Sequence, residues 1–406
     1  MNSQTFRPRI TAVADSDSYL KLAYSTLSGL GSDWDKRVVL VRTPLLPTDE
    51  QIISASHNTS FAGTRPEVLP MSSLTFDSLD ADIIFASSTG PVVSELFSKL
   101  LRSTSTRVRP AALLSALPGV AFPATTKGWN YRRAGDGFIV HSHAEAREFS
   151  QLAEEEPGHS PTILVSKLPF LATAGFPQPE TSPINSVVFA AQAKVPVLRT
   201  ERVAILRALD KTACLNPAVR VIVKLRAKAG EPQTHAEAHP FDSLWNELVE
   251  AGSVKAQHVE FTTGSMDAVL NEGAALLTVS STAALEALDR GLPVLVLTDF
   301  GFNEAMLNTV FRGSGLLGTL EQVPTLEFSS PNKAWLRENY FHRRGPEFGV
   351  ALNHYASRAR AGELETSEAQ RSLIRDIALR QHIRTALPRP VLSLLRKLRR
   401  SWLRTS

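Results

Sequence analysis

The 406 residues include a single cysteine, Cys214. An intrachain disulfide framework is therefore excluded, and the composition fits a reducing compartment. A lone thiol of this kind is expected as a small buried apolar side chain rather than as a nucleophile. Long apolar runs are also missing: no stretch approaches the roughly 18 uninterrupted apolar residues that a membrane span needs. The opening MNSQTFRPRI carries two arginines but no apolar core of an export signal, so a cytoplasmic location is expected. No Walker A, HExxH, GxSxG or CxxC pattern occurs. One glycine-rich match, GSGLLG at 313–318, follows the helix-like NEAMLNTVFR instead of a strand. It fails the context that a dinucleotide fingerprint requires and reads as a helix stop and turn. Acidic residues give out towards the end: none follows Asp376, whereas eight basic residues do. That excess is larger than the net charge of +4, so the rest of the chain is mildly acidic. Nucleic-acid binding by the body, which wants a basic face on the fold itself, is excluded on this ground.

What is present is an ordinary globular composition, 43% hydrophobic and 21% charged, at a length that suggests two domains. Short apolar runs alternate with helical patterns. Runs at 10–14, 37–42, 81–87, 111–117, 137–142 and 161–169 form a first series. A Pro- and Ser-rich stretch, 176–186, reads as a linker. A second series follows at 186–192, 219–225, 253–261, the AALLTVSS run and 292–298, with helices at 199–213 and 241–252. Strand–helix alternation of this kind predicts an α/β protein built from two doubly wound halves. The expected division is 1–176 and 186–330, then helices over 331–387 and a basic amphipathic tail at 388–406.

In open α/β sheets, ligands bind beyond the carboxyl ends of the strands. In the second half those ends carry Gln192, then Lys224 and Arg226, then Thr263-Gly264-Ser265-Met266, then Ser280-Ser281-Thr282. Three hydroxyls at a helix start add O–H donors to uncovered N–H groups and the positive end of the helix dipole. That combination holds a phosphate without a metal. Glu286, one turn inside on the same face, would accept hydrogen bonds from ribose hydroxyls, and Lys224 or Arg226 would balance phosphate charge. Ser and Thr are also the ordinary N-cap residues, so capping is the competing reading. Within QTHAEAH, Thr234 and Glu237 match a capping box, and His235 is left as a proton donor to a departing phosphate.

In the first half, the first strand runs into ADSDSY. Asp15 or Asp17 there would serve as general base, with Ser16 and Tyr19 beside an acceptor hydroxyl; helix capping is the alternative. Gly119 and Lys127, in the PGVAFPATTKG loop, are placed on the same acceptor wall. His141 and His143 lack a third ligand cluster, and Ser142-x-x-Glu145 reads as a capping box, so no metal site is expected.

With these residues in hand, the chain resembles the GT-B class of glycosyltransferases. STAALEALDRGLPVLVLTDFG is similar to that class's donor-site stretch, a helix carrying Glu followed by Gly-x-Pro and a strand. ADSDSYLK, RRAGDGFIVHS, VKLRAKAGEPQTHAEAH and SSTAALEALDRG are similar to an actinobacterial glycosyltransferase family over nearly the whole chain. A more distant likeness is to polysialyltransferases and teichoic-acid polymerases, which set a His-Pro pair and a Ser-Ser/Thr pair on the donor phosphate. Ser280, Ser281 and Thr282 match the second pair. Lys224-Leu225-Arg226 stands where the first would be, and the literal His239-Pro240 lies further on. The resemblance implies two facing Rossmann-like domains, a nucleotide-sugar donor as substrate, no cofactor and no metal. It further implies a cell-envelope glycan or lipid-linked acceptor. A nucleotide-sugar epimerase and a non-catalytic two-lobed binding protein are the other readings of the same pattern.

The tail completes this expectation. RPVLSLLRKLRRSWLRTS sets Val391, Leu394, Leu395, Leu398 and Trp402 on one helical face and Arg and Lys on the other. That pattern fits a helix lying in an anionic membrane surface, with the protein then expected to be peripheral on the inner face of the membrane; docking on the acidic body or on a partner is the other reading.

Overall fold

The structure is a computed structural model that describes residues 7–104, 108–171, 177–180, 182–225, 237–255, 258–343 and 345–386. Its strands are β1 Arg9–Ala14, β2 Asp35–Val41, β3 Glu67–Leu69, β4 Ile83–Ser87, β5 Ala112–Ala116, β6 Gly137–Val140 and β7 Thr162–Val165 in the first half. The second half contributes β8 Ser186–Ala190, β9 Arg220–Lys224, β10 Val259–Thr262, β11 Ala274–Thr278, β12 Val294–Leu297 and β13 Leu317–Gly318. The helices are α1 Asp17–Ser28, α2 Asp49–Ser56, α3 Phe76–Leu79, α4 Gly90–Ser103, α5 Thr126–Arg132 and α6 His143–Glu155. They continue as α7 Arg199–Leu215, α8 Phe241–Glu250, α9 Ala283–Asp289, α10 Lys333–Glu338, α11 Glu347–Arg360 and α12 Glu368–Ala386.

All pairings in both sheets are parallel. The first sheet runs β3-β2-β1-β4-β5-β6-β7 and the second β10-β9-β8-β11-β12-β13. Each reverses direction next to its first strand, between β1 and β4 and between β8 and β11. These are the two switch points at which helices leave to opposite faces and a crevice opens. The fold is therefore the two-domain α/β arrangement that the strand–helix alternation predicts.

Both faces of each sheet are covered, which is why the strands read as near-continuous apolar runs. On β1, Ile10, Ala12 and Ala14 pack beneath α1 and α11, while Val13 faces α4 and Ile374 of α12. In the second domain, Val188 and Ala190 face α9 and Trp335 of α10, and Val187 and Phe189 face α7 and α8. Helix α10 thus belongs to the second domain's core. α11 and α12 cross back to the first: Tyr355 Oη donates to Asp136 O at 3.1 Å, and the Arg360 guanidinium grips Asp82 at 2.9 and 3.0 Å.

Several sequence expectations are corrected here. Cys214 is exposed. It closes the last turn of α7, where Thr212 and Ala213 take the inward face. NEAMLNTVFR is not a helix but two 3-10 turns, Glu304–Met306 and Thr309–Phe311, because the buried Asn308 side chain bonds Asn303 N and Gly301 O. Gly313 and Gly315 do make the expected turn, at φ 72° and 79°, but it then feeds the short strand β13. Glu237 lies outside any described helix, and its carboxylate pairs with the buried Arg202; Thr234, its partner in the expected capping box, lies outside the described residues.

Candidate functional site

The first domain presents its strand ends through a buried network. Asp15 follows β1 and is fully buried. Its Oδ1 accepts from Thr89 N at 3.0 Å and its Oδ2 from the Thr89 hydroxyl, so the carboxylate ties the end of β1 to the start of α4 across the switch point. Ser88 Oγ donates to Val13 O at 2.6 Å and Ser87 Oγ to Tyr19 O at 2.7 Å, locking the same corner. Tyr19 Oη accepts from Arg132 Nη2 at 3.0 Å. Burial pushes the Tyr19 phenol up, against the pull of the Arg132 cation. Arg132 is itself 2% exposed and makes its other bonds to the carbonyls of Ala116, Gly128 and Ser88. Ser16 and Asp17 sit at the surface end of this network, half-buried, with Asp17 in the first turn of α1. Lys127 is exposed at the start of α5.

The second domain answers with the Ser280–Thr282 turn at its own switch point. Gln192, after β8, accepts from Ser280 N through Oε1 at 2.9 Å, and Ser280 Oγ donates to Leu307 O at 2.5 Å. Ser281 N donates to Thr278 Oγ1 at 3.0 Å, and Ser281 Oγ accepts from Ala283 N at 3.2 Å. Ser280 and Ser281 therefore shape the turn, and Ser281 is a cap in the ordinary sense. Thr282 is exposed, and its hydroxyl makes no cap bond. Of the three residues it is the exposed one.

Around this turn lie the other residues that the sequence singles out. Lys224 is buried at the end of β9, with Nζ donating to Leu225 O at 2.8 Å. Thr263 is half-buried. Gly264 has φ 93°, a backbone state that needs glycine and that swings Ser265 outward. Ser265 Oγ accepts from Asp267 N at 3.1 Å, and Met266 packs on the apolar core beneath α9. Arg226 and His235 lie outside the described residues.

Glu286 occupies the inner turn of α9, and its carboxylate takes no hydrogen bond from any described residue. Burial pushes its pKa up; Lys21, Arg290 and Lys224 pull the other way, and Asp267 adds to the rise. Lys21 belongs to α1 of the first domain, so this pull crosses the crevice. Two further contacts bring the domains together. A Cβ built on Gly119 would meet Thr282 Cγ2 at 3.5 Å. Val120 and Phe122 pack against the second domain's core. Thr282 thus opens onto the loop after β5 of the opposite domain. A cavity of about 830 Å³ lies elsewhere, lined by the end of α1, by β7 and the residues after it, and by His342, Arg343 and Gly345 to Gly349.

Sequence reasoning missed the residues that hold the site in shape. Arg202 is buried under the second domain's loops. It donates to the Gln192, Ala193, Pro196 and His239 carbonyls and lies 4.7 Å from the centre of the Phe241 ring. It thereby aims Gln192 at Ser280. Thr89 and Arg132 do the same for Asp15 and Tyr19. Nothing local in the sequence separates a buried arginine from a solvated one. Glu145 fits the sequence pattern of a capping box. Ser142 does cap α6, but the Glu145 carboxylate instead accepts from Ala121 N, His141 N and Tyr340 Oη.

Comparison with known proteins adds the following. The family described as "Putative glycosyltransferase (DUF6716)" matches residues 10–354. No curated protein matches the sequence. Among solved structures, the S. aureus MnaA–UDP complex superposes with a TM-score of 0.52 at 11% identity, covering 89% of this chain and 98% of that one. The UDP-GlcNAc 2-epimerase of Methanocaldococcus jannaschii gives 0.52 at 11% identity, covering 86% and 99%. At such identities the likeness is one of fold alone.

Proposed function

We propose that this chain, which belongs to the family described as "Putative glycosyltransferase (DUF6716)", moves a sugar from a nucleotide-sugar donor to a hydroxyl of a cell-envelope glycan or lipid-linked acceptor. The observation that carries the reading is that the exposed Thr282, at the second domain's switch point, opens onto the Gly119 loop of the first domain, with Glu286 taking no hydrogen bond from any described residue.

In this reading the donor lies against the second domain. Thr282 and the start of α9 meet its phosphate, with Arg226 and His235 beside the departing group. Lys224 supplies positive charge, and Glu286 takes the ribose hydroxyls. Thr263, Gly264, Ser265 and Met266 form the flanking wall, and Gln192 holds the turn. The acceptor lies against Ser16, Tyr19, Gly119 and Lys127 of the first domain. Its oxygen attacks the anomeric carbon as the bond from that carbon to the phosphate oxygen breaks. The nucleotide leaves with the electron pair, and the acceptor proton passes to a carboxylate. Asp17, half-buried, is the more accessible of the two candidates, since Asp15 is fully buried. The reaction as proposed uses no metal and no cofactor.

No helix of the described residues is long and apolar enough to cross a membrane. The tail, 388–406, lies outside the described residues. We assign it to an anionic membrane surface on the cytoplasmic side, where lipid-linked acceptors would be presented.

The test is a thermal-shift panel of UDP, GDP, CMP, CDP and dTDP, followed by product analysis of the stabilising nucleotide's sugars with and without acceptor. One nucleotide should raise the melting temperature, since a ligand at 100 times its Kd adds about 2.7 kcal/mol. Product formed from donor alone would make the protein an epimerase. Binding without turnover would make it a two-lobed binding protein, and no shift with any nucleotide would sink the reading.

A further inference from the structure

We infer that Asp210, Cys214 and His258 form a binding site for one zinc ion, remote from the crevice. Asp210 and Cys214 are four residues apart on α7, one turn on the same face. His258 comes from the segment that enters β10. Cys214 Sγ lies 3.2 Å from His258 Nδ1, and Asp210 Oδ1 lies 3.7 Å from the same nitrogen. All three donor atoms are within 4.8 Å of one another. A tetrahedral zinc with bonds of about 2.0–2.3 Å holds its nitrogen, oxygen and sulfur donors roughly 3.3–3.6 Å apart. The two distances to His258 Nδ1, 3.2 and 3.7 Å, lie within tenths of an ångström of that spacing.

The chemistry of the donors selects the metal. A thiolate and an imidazole suit zinc and exclude magnesium and calcium, which take oxygen ligands. Thiolate and carboxylate together neutralise a dication. Asp210 Oδ1 also accepts from Lys255 N at 3.1 Å, an outer contact that fixes the carboxylate. Cys214 is exposed, so the fourth position faces water. An ordinary thiol–histidine hydrogen bond would explain the 3.2 Å contact alone. An ion pair of Asp210 with a protonated His258 would explain the 3.7 Å contact; one zinc ion accounts for the convergence of all three donors together.

The position also fixes the role. His258 precedes β10, whereas the crevice residues Thr263 to Met266 follow it. A four-residue strand spans about 13 Å, so the ion does not touch the nucleotide. It would pin the end of α7 to the entry of β10 and act on stability, not on turnover. This inference holds or fails without reference to glycosyl transfer.

The experiment uses the full chain, reduced and stripped with a chelator, and titrates cobalt(II) alone and then zinc(II) in competition. The expected result is one cobalt per chain with a sulfur-to-cobalt charge-transfer band, removed by one equivalent of zinc, and a melting temperature that rises with zinc. Cys214→Ser should lose the charge-transfer band, and Asp210→Asn should weaken zinc binding by about tenfold or more. Both variants should keep the far-UV circular dichroism of the parent. Absence of the charge-transfer band at saturating cobalt, or an unchanged zinc affinity in Cys214→Ser, would overturn the proposal.

Discussion

Tyr340 Oη donates to Glu145 Oε1 at 2.6 Å, joining the segment after α10 to a fully buried carboxylate at the start of α6. The same carboxylate holds Ala121 N and His141 N at 2.7 Å each. One charge therefore fixes the loop after β5, the end of β6 and the returning C-terminal segment. Beside the Glu145 charge and out of reach of water, the Tyr340 phenol is held well above its ordinary pKa and stays protonated as the donor. Tyr340→Phe keeps the ring and removes the donor. It should cost about 1–3 kcal/mol, read as a lower denaturant midpoint. An unchanged midpoint would show that the bond contributes nothing net.

Glu286 gives a prediction with a sign. A carboxyl whose pKa is raised by burial binds its proton more readily in the fold than in the unfolded chain. Stability then falls as pH rises from 4.5 towards the raised folded value, and the ionised group remains a penalty above it. Glu286→Gln should therefore melt higher than the parent at neutral pH when empty, and its stability should be flatter across that acidic window. The same change removes a charged acceptor, worth about 1.5–3 kcal/mol, so the donor's Kd should rise tenfold or more. Higher stability with undiminished nucleotide binding would exclude the ribose role.

Two neighbouring hydroxyls should separate cleanly. Ser281 caps α9 at Ala283 N, so Ser281→Ala should lower the melting temperature of the empty protein, at about 1 kcal/mol. Thr282 makes no cap bond, so Thr282→Val should leave the empty protein unchanged and shrink the nucleotide-induced shift. Calorimetry of both variants, with and without the stabilising nucleotide, checks the pair. An undiminished shift in Thr282→Val would remove the hydroxyl from the site.

The tail is tested by deletion of 388–406. Co-sedimentation with vesicles rich in anionic lipid should fall sharply, and binding by the parent should weaken as salt rises. Unchanged binding after deletion would dissociate the basic stretch from the membrane.

The sheet pattern was legible because both faces of each sheet are covered, which leaves whole apolar strands such as β4 and β11 standing between polar turns. The strand-end positions of Ser280 to Thr282 followed from that pattern, since ligand ends are a property of parallel topology. What could not be read was the division of labour among them. Ser281 and Thr282 differ by a methyl in sequence but by a hydrogen-bond partner in space. Glu145 fitted a local capping rule and was instead recruited by Tyr340, nearly two hundred residues on. Asp15 does follow β1, but it is fully buried, and Thr89, which engages both its oxygens, comes from a different strand end. Cys214 looked like a core residue because the phase of α7 is set by its packing on the sheet and not by the thiol.

Lys21 lies on one lobe, and the carboxylates whose charge it balances, Glu286 and Asp267, lie on the other. The ammonium thus adds an attraction across the opening to the packing of Val120 and Phe122 on the second lobe. Added electrolyte should slacken it and widen the spread of lobe separations seen by small-angle scattering. An incoming polyanion would compete for the same ammonium, so occupancy of the crevice and the posture of the two lobes are thermodynamically linked.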